Sequence, residues 1–175
     1  MPSTTSNAST VTCRAPDLPK VSTPLQVSSD SFKEGGDIPI AFVYAGCGGS
    51  NSSPELSWTG APAGTKSFVI TCFDPDAPTG CGYWHWLAFD IPASVTSVGP
   101  GKSVGKAGRN DYGASEYGGP CPPKGDGPHR YIFTVYALDV DHIEGASEKT
   151  SAASLIFMMR GHVLAAGTIT GRFGH

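Results

Sequence analysis

The abundance of glycine and proline is the feature that most limits how this chain can fold. The 175 residues include 23 glycines and 15 prolines, whereas average usage is roughly 7% and 5%. Inside a helix, glycine costs about 1 kcal/mol relative to alanine, and proline costs about 3 kcal/mol. Charged residues make up only 15% of the chain and apolar residues 39%, which disfavours a highly charged disordered polypeptide as well. The composition therefore predicts a compact, turn-rich domain built mainly from β-strands.

The charge balance and the hydropathy exclude two classes of partner. With 12 Lys and Arg against 15 Asp and Glu, the chain has no basic excess to hold a nucleic-acid backbone. The longest apolar run, residues 155–159, is far shorter than the roughly 20 residues that span a bilayer. We therefore expect neither nucleic acid as the main partner nor an integral membrane segment.

The N-terminal segment and the cysteines bear on the cellular compartment. Residues 1–20 are rich in Ser and Thr and contain little that could be buried, which predicts a disordered tail ahead of a single domain at 21–175. This segment also lacks the charged and apolar regions of a secretory signal. An odd number of cysteines leaves at least one thiol free and any disulfide pairing open; they are Cys13, Cys47, Cys72, Cys81 and Cys121. Without a signal, reduced thiols and a cytoplasmic location are expected.

Runs of β-branched and aromatic residues between turn residues predict an all-β sandwich. The predicted strands are 25–28, 38–44, 67–73, 84–90 and 131–138, with 56–58 and 168–173 as shorter candidates. Apolar residues at helical spacing over 150–166 predict one helix, capped by Ser151 or Thr150 and ended by Gly167. His162 falls on the apolar stripe of this helix, where a buried histidine is expected.

The segment 99–128 is predicted to be one long ordered loop. Its 30 residues include nine glycines and five prolines and no credible strand or helix. Loops of this length are uncommon in compact domains and are then usually functional or disordered. We expect an ordered loop, because two aromatic and two charged residues could anchor it: Tyr112, Tyr117, Arg109 and Asp111.

Three short motifs bring titratable side chains to the ends of predicted strands. They are D-P-D-A-P at 74–78, W-H-W at 84–86 and G-P-H-R-Y at 127–131. Strand alternation places His85 on the face opposite Trp84 and Trp86. Taken alone, the first motif is equally compatible with a rigid turn capped by Asp, and His85 with a buried structural histidine.

Together, these motifs favour a site for a small anion or zwitterion. A carboxylate near an imidazole raises the pKa of the histidine, and a cationic histidine with loop amides can hold an anion. The carboxylate could then receive an ammonium group, as in phosphoethanolamine. No G-x-S-x-G elbow and no zinc-ligand spacing occur, so neither a metal nor a cofactor is expected. Arg130 is predicted to be a structural ion-pair partner.

The same motifs, with Y-G-G-P-C-P-P-K-G-D-G-P-H-R-Y at 117–131, resemble the phosphatidylethanolamine-binding protein family. The resemblance is closest to its bacterial and archaeal branch, the Raf kinase inhibitor-like proteins, and extends from Leu25 to Phe173. It implies a mainly β fold: a large central antiparallel-rich sheet packed on a smaller sheet, with short helices near the C-terminus. It also implies a homodimer and a small anion-binding pocket at one end of the large sheet.

Carried over by position, the resemblance implies nine pocket residues. They are Asp74, Ala77, Pro78, His85, Gly119, Cys121, Pro122, His129 and Tyr131. The leading hypothesis is a non-enzymatic, regulatory binding protein for a phosphate-bearing head group or similar anion. One alternative is a protease or kinase inhibitor that acts through exposed loops. Another is a weak hydrolase with Asp74 and His85 as acid and base and Cys121 as nucleophile.

Overall fold

The computed structural model describes residues 24–175, which form two antiparallel β-sheets. The small sheet contains, in spatial order, β1 (Gln26–Ser28), β2 (Leu56–Thr59) and β5 (Ser97–Val98). The large sheet contains, in spatial order, β6 (Lys106–Ala107), β4 (Tyr83–Pro92), β3 (Ser67–Asp74), β7 (His129–Leu138) and β8 (Val163–Phe173). One α-helix, α1 (Ala152–Met158), precedes β8. The predicted fold class is confirmed, while the tail 1–20 and Cys13 lie outside the described residues.

The large sheet packs against other elements of the chain on both of its faces. Every residue of β3 is buried, as expected for a strand with cores on both sides. On one face, Trp58 of the small sheet packs edge-on against Phe68 of β3, within the main core between the sheets. On the other face, Leu155 of α1 packs against a second cluster that includes Val69 and Phe89.

The predicted strand at 38–44 is wrong. This segment instead contains a 3₁₀ turn, Ile40–Phe42, followed by a second one, Ala45–Cys47. Pro39 immediately precedes the first turn and has no N–H for a strand ladder. Its carbonyl accepts from the N–H of Phe42, which closes the turn. The segment thus becomes a compact connection that lies against the long loop.

The predicted helix over 150–166 is right only in its first half. Ser151 caps α1 by accepting from the N–H of Ser154, but the helix ends by Met159, and Gly161 follows with φ 91°. The following residues form β8 and pair with β7 along its length. The hydrogen bonds of this pairing stabilise the strand more than a continued helix, despite the helical spacing of the apolar residues. His162 is therefore exposed, its ring Nδ1 lying 2.8 Å from Asp139, and the expected core position is wrong.

The long loop 99–128 is ordered, and its aromatic residues contribute to this order as expected. The hydroxyl of Tyr117 donates to the carbonyl of Phe42 at 3.0 Å. The carboxylate of Asp111 accepts from the N–H of Trp84 at 2.7 Å. The sequence predicted neither the short strand β6 within this loop nor the short strand β5 just before it.

A disulfide joins Cys47 to Cys121 and fastens the loop to the second 3₁₀ turn. The expectation of reduced thiols is wrong for this pair. The sequence left the pairing open because the two residues, 74 positions apart, become neighbours only when the loop folds over residues 45–47. Cys72 and Cys81 are free thiols, the first buried and the second exposed.

Candidate ligand-binding site

A β-bulge determines where His85 lies. The register between β3 and β4 steps from Cys72 opposite Trp86 to Phe73 opposite Trp84, which leaves His85 as an extra residue. Strict alternation would place the two tryptophans on one face. Instead, Trp86 belongs to the core between the sheets, and Trp84 packs against the second cluster. Bulges commonly re-aim side chains next to functional sites, and this one lies at the end of the large sheet.

A cavity of about 260 Å³ opens at this end, where β3 finishes and β4 and β7 begin. Eight of the nine residues proposed from the sequence line it: Asp74, Ala77, Pro78, His85, Cys121, Pro122, His129 and Tyr131. Four further lining residues were not identified from the sequence: Thr79, Tyr83, Tyr112 and Pro123. Tyr112 had been noted only as a loop anchor, since no local pattern connects it with the strand ends.

Gly119, the ninth residue, lies behind the cavity wall. Its N–H donates to Asn51 at 2.7 Å and its carbonyl accepts from the Tyr112 hydroxyl at 2.9 Å. A Cβ at this position would lie 2.4 Å from the carbonyl oxygen of Phe42. Close packing against the backbone therefore requires glycine here, independently of any ligand.

The loop supplies fewer free amides than its glycine content suggests. Between Gly119 and Pro123, three of the five residues are prolines without an N–H. The Gly119 N–H is engaged by Asn51. Only the N–H of Cys121 in this segment has no hydrogen-bond partner among residues 24–175. The sequence predicted that several loop N–H groups could hold an anion, but this segment offers only one N–H donor without a partner.

Asp74 is buried at the end of β3 and organises the D-P-D-A-P turn. Its Oδ1 accepts from the N–H of Asp76 at 2.8 Å and from that of Ala77 at 3.1 Å. This arrangement is the side-chain turn that Asp favours at such positions. Its Oδ2 lies 2.8 Å from Nδ1 of His129. One carboxylate therefore joins the turn after β3 to the start of β7.

Carboxylates face both ring nitrogens of His129. Besides the Asp74 contact at Nδ1, Nε2 lies 3.4 Å from the carboxylate of Asp126. The His129 and Asp74 side chains are 5% and 4% exposed, whereas that of Asp126 is 42% exposed. Asp126 therefore lies at the rim of the cavity, whereas the buried pair of His129 and Asp74 lies deeper on the same side.

His85 is held through one ring nitrogen. Its Nδ1–H donates to the carbonyl of Gly118 at 2.7 Å, because a carbonyl oxygen only accepts. Its Nε2 has no partner in the described part of the chain. Burial lowers the pKa of His85, and the smaller opposing effects of the Gly118 carbonyl and Asp74 do not reverse this. The expected rise in the His85 pKa is wrong, and the ring is neutral at neutral pH.

Three tyrosines surround the His85 ring with edge-on contacts. The ring centroids of Tyr83, Tyr131 and Tyr112 lie 5.2, 5.1 and 5.6 Å from that of His85. Burial raises the pKa of Tyr131 and Tyr112, so both phenols are protonated and can donate. The hydroxyl of Tyr131 is buried and has no hydrogen-bond partner within residues 24–175. Buried polar atoms without partners are uncommon in native proteins.

Arg130 points away from the cavity. Its guanidinium donates to both carboxylate oxygens of Asp76, at 2.9 and 2.7 Å. The structural ion pair expected from the sequence is confirmed. The pair lowers the pKa of the Asp76 carboxyl, chiefly through the side-chain hydrogen bond from Arg130.

No cluster of three or more His, Cys, Asp and Glu side chains within residues 24–175 could hold a metal ion. No helix in this range is long and apolar enough to cross a membrane.

The fold and the cavity define a β-sandwich whose large antiparallel sheet ends in a cavity lined by histidine and tyrosine. Residues 28–174 match the family model described as phosphatidylethanolamine-binding protein. The chain belongs to this family, and the resemblance drawn from the three motifs is confirmed.

Curated and solved relatives agree with this membership. The Escherichia coli protein YbcL is 44% identical over 156 residues, covering 83% of this chain and 85% of that protein. YbhB of the same organism is 42% identical over 159 residues, covering 85% and 99%. The crystal structure of YbcL, described as a new member of the mammalian PEBP family, matches with a TM-score of 0.82 at 40% identity, covering 87% of this chain and 99% of that one.

A more distant relative from Mycobacterium tuberculosis is named putative lipoprotein LppC. It is 35% identical over 152 residues, which cover 85% of this chain and 73% of that protein.

Proposed function

We propose that this protein binds a small anionic or zwitterionic ligand, such as a phosphate-bearing head group, without transforming it. The observation that carries this proposal is the His85 ring, which lines the cavity and is bonded within residues 24–175 only through Nδ1, to the carbonyl of Gly118. A small cavity with aromatic walls and a few convergent polar groups is typical of ligand sites. An anion bound beside His85 favours a proton on Nε2, so that the ring then donates from this nitrogen to the anion.

The acidic side of the cavity suits a cationic group on the same ligand. Asp74 lies inside and Asp126 at the rim, both against His129. An ammonium group near Asp126 would replace water around a half-exposed carboxylate. A zwitterion such as phosphoethanolamine therefore matches the charges of the cavity better than a simple polyanion.

Binding is favoured over the hydrolase alternative because the thiol nucleophile of that alternative is not available. Cys121 is in a disulfide and has no thiolate. The hydroxyl of Thr79 donates to the carbonyl of Gly82, close to its own turn. Inhibition of a protease or kinase, and a wider regulatory role, stay predictions of the family resemblance.

The homodimer expected from the resemblance is also a proposal, which light scattering of the purified protein would test. The predicted cytoplasmic location is harder to reconcile with the Cys47–Cys121 disulfide. Disulfides persist mainly in oxidising compartments. A relative named as a lipoprotein also supports a location outside the cytoplasm.

Calorimetric titration with phosphoethanolamine tests the proposed function. We expect saturable binding at millimolar or lower concentration, and a loss of about tenfold or more in His85→Ala, because the unpartnered ring nitrogen is removed. His162→Ala is a matched control, since that ring is exposed and bonded to Asp139. No heat of binding with the wild-type protein, or equal binding by both variants, would contradict the proposal.

A further inference from the structure

A second cavity, of about 170 Å³, shares with the first no lining residue among those that the structure describes. Its lining includes residues 101–105, which connect the edge strands β5 and β6, residues 115–117 later in the same loop, and Trp86 and Ala88 of β4. Cavities for drug-sized ligands measure about 300–1,000 Å³. The second cavity is therefore of a size that suits a molecule of few heavy atoms.

A tight turn places Lys102 in the lining of this cavity. Gly101 adopts φ 64°, the left-handed conformation that follows proline in a type II turn. The N–H of Lys102 closes the turn by donating to the carbonyl of Gly99 at 3.2 Å. The N–H of Gly101 donates to the carbonyl of Ser53 at 2.9 Å and so attaches the turn to the segment before β2.

Several hydrogen-bond donors in this lining have no partner within residues 24–175. Ser53 and Trp86 are each only 4% exposed and line the cavity. The Ser53 hydroxyl and the Trp86 indole N–H form no hydrogen bond in this range, yet neither is a fully enclosed unpaired atom. The N–H groups of residues 103–105 also lack partners there. Since buried polar groups are normally hydrogen-bonded and successive N–H groups favour anions, these donors favour a ligand oxyanion.

One carboxylate, that of Glu116, belongs to the same lining. The side-chain amide of Asn110 donates to the Glu116 carbonyl at 2.8 Å and holds the backbone there, while the Glu116 side chain is exposed. Lys102 and Glu116 are the only charged side chains in the lining within the described range, and they form no ion pair with each other. Opposite charges that line one small cavity without pairing leave space for a ligand that carries both charges.

We propose that this second cavity binds a free α-amino acid with a small side chain, in its zwitterionic form. Lys102 and the donors beside it receive the carboxylate through charge-assisted hydrogen bonds, and Glu116 receives the ammonium group. The site and the ligand each carry one charge of either sign, so their charges balance. A phosphate dianion would bring a second negative charge that the single lysine does not balance. This site is independent of ligand binding at the end of the large sheet.

NMR titration of the ¹⁵N-labelled protein with L-alanine tests this proposal. We expect saturable shifts of the amides of residues 103–105 at millimolar concentration. Propanoate lacks the ammonium group of L-alanine, and ethylammonium lacks its carboxylate. Each should bind about threefold or more weakly than L-alanine, because one of the two charge contacts is lost. Shifts of Cys121 and Tyr131, by contrast, report on the first cavity.

Lys102→Gln and Glu116→Gln each remove one charge from the site, and both side chains are exposed, so neither change should alter the fold. We expect either variant to bind L-alanine about threefold or more weakly than the wild-type protein. Lys33→Gln, which changes an exposed lysine outside the cavity, is the matched control and should bind as the wild type does. Propanoate binding as tightly as L-alanine, L-alanine shifts confined to the first cavity, or no saturable shift up to about 100 mM would each overturn the proposal.

Discussion

Removing the disulfide between Cys47 and Cys121 is expected to lower the free energy of unfolding by about 2–5 kcal/mol. The bond closes a loop with a sequence separation of 74, for which the chain-entropy model gives about 4 kcal/mol. Urea unfolding of the Cys47→Ser, Cys121→Ser double variant measures the effect. Cys81→Ser, which changes an exposed free thiol, is the control and should change stability by less than about 0.5 kcal/mol.

The same double variant should also bind phosphoethanolamine more weakly. Cys121 lines the cavity and its backbone supplies the free N–H, so loosening the segment makes this donor less well positioned. Unfolding midpoints that are equal for the double variant and the Cys81→Ser control would show that the disulfide does not stabilise the fold.

Replacing Asp74 with alanine is expected to cost about 3–5 kcal/mol of stability. The change removes the acceptor of two turn amides and leaves Nδ1 of the buried His129 ring without its partner, and breaking a buried pair from one side carries this cost. Asp74→Asn should cost less, because its Oδ1 can still accept from both amides. Thermal and urea unfolding of the two variants measure the difference.

Asp76→Ala is the control for Asp74→Ala, because it removes a partly exposed carboxylate from the same turn instead of the buried one. Asp76 pairs with Arg130, and their side chains are 30% and 46% exposed, so its loss should cost about 1 kcal/mol or less. If Asp74→Ala were no less stable than Asp76→Ala, the proposed role of Asp74 in holding the turn and β7 together would be wrong.

The elements that the sequence predicted are those whose signals are local. The strands at 67–73 and 131–138 could be predicted because β-branched and aromatic residues dominate each run between turn residues. The D-P-D-A-P turn was found because proline restricts the backbone on both sides of the acids. The candidate cavity residues could be identified because the family motifs lie at strand ends, and these strand ends meet in the folded protein.

The features that the sequence did not predict depend on contacts between distant segments. The bulge at His85 arises from the pairing of β4 with β3, which a strictly alternating pattern cannot reveal. Residues 163–166 fit a helical period but pair with β7 instead. The Cys47–Cys121 bond requires the loop to fold onto residues 45–47, and the lowered pKa of His85 follows from burial that only the folded loop creates.

A crystal structure of the protein soaked with phosphoethanolamine would test the proposed ligand-binding function directly. Density is expected in the cavity at the end of β3, with a phosphate oxygen within hydrogen-bond distance of Nε2 of His85. The ammonium group should point towards Asp126. An empty cavity at saturating ligand, or density only elsewhere on the surface, would contradict ligand binding at this site.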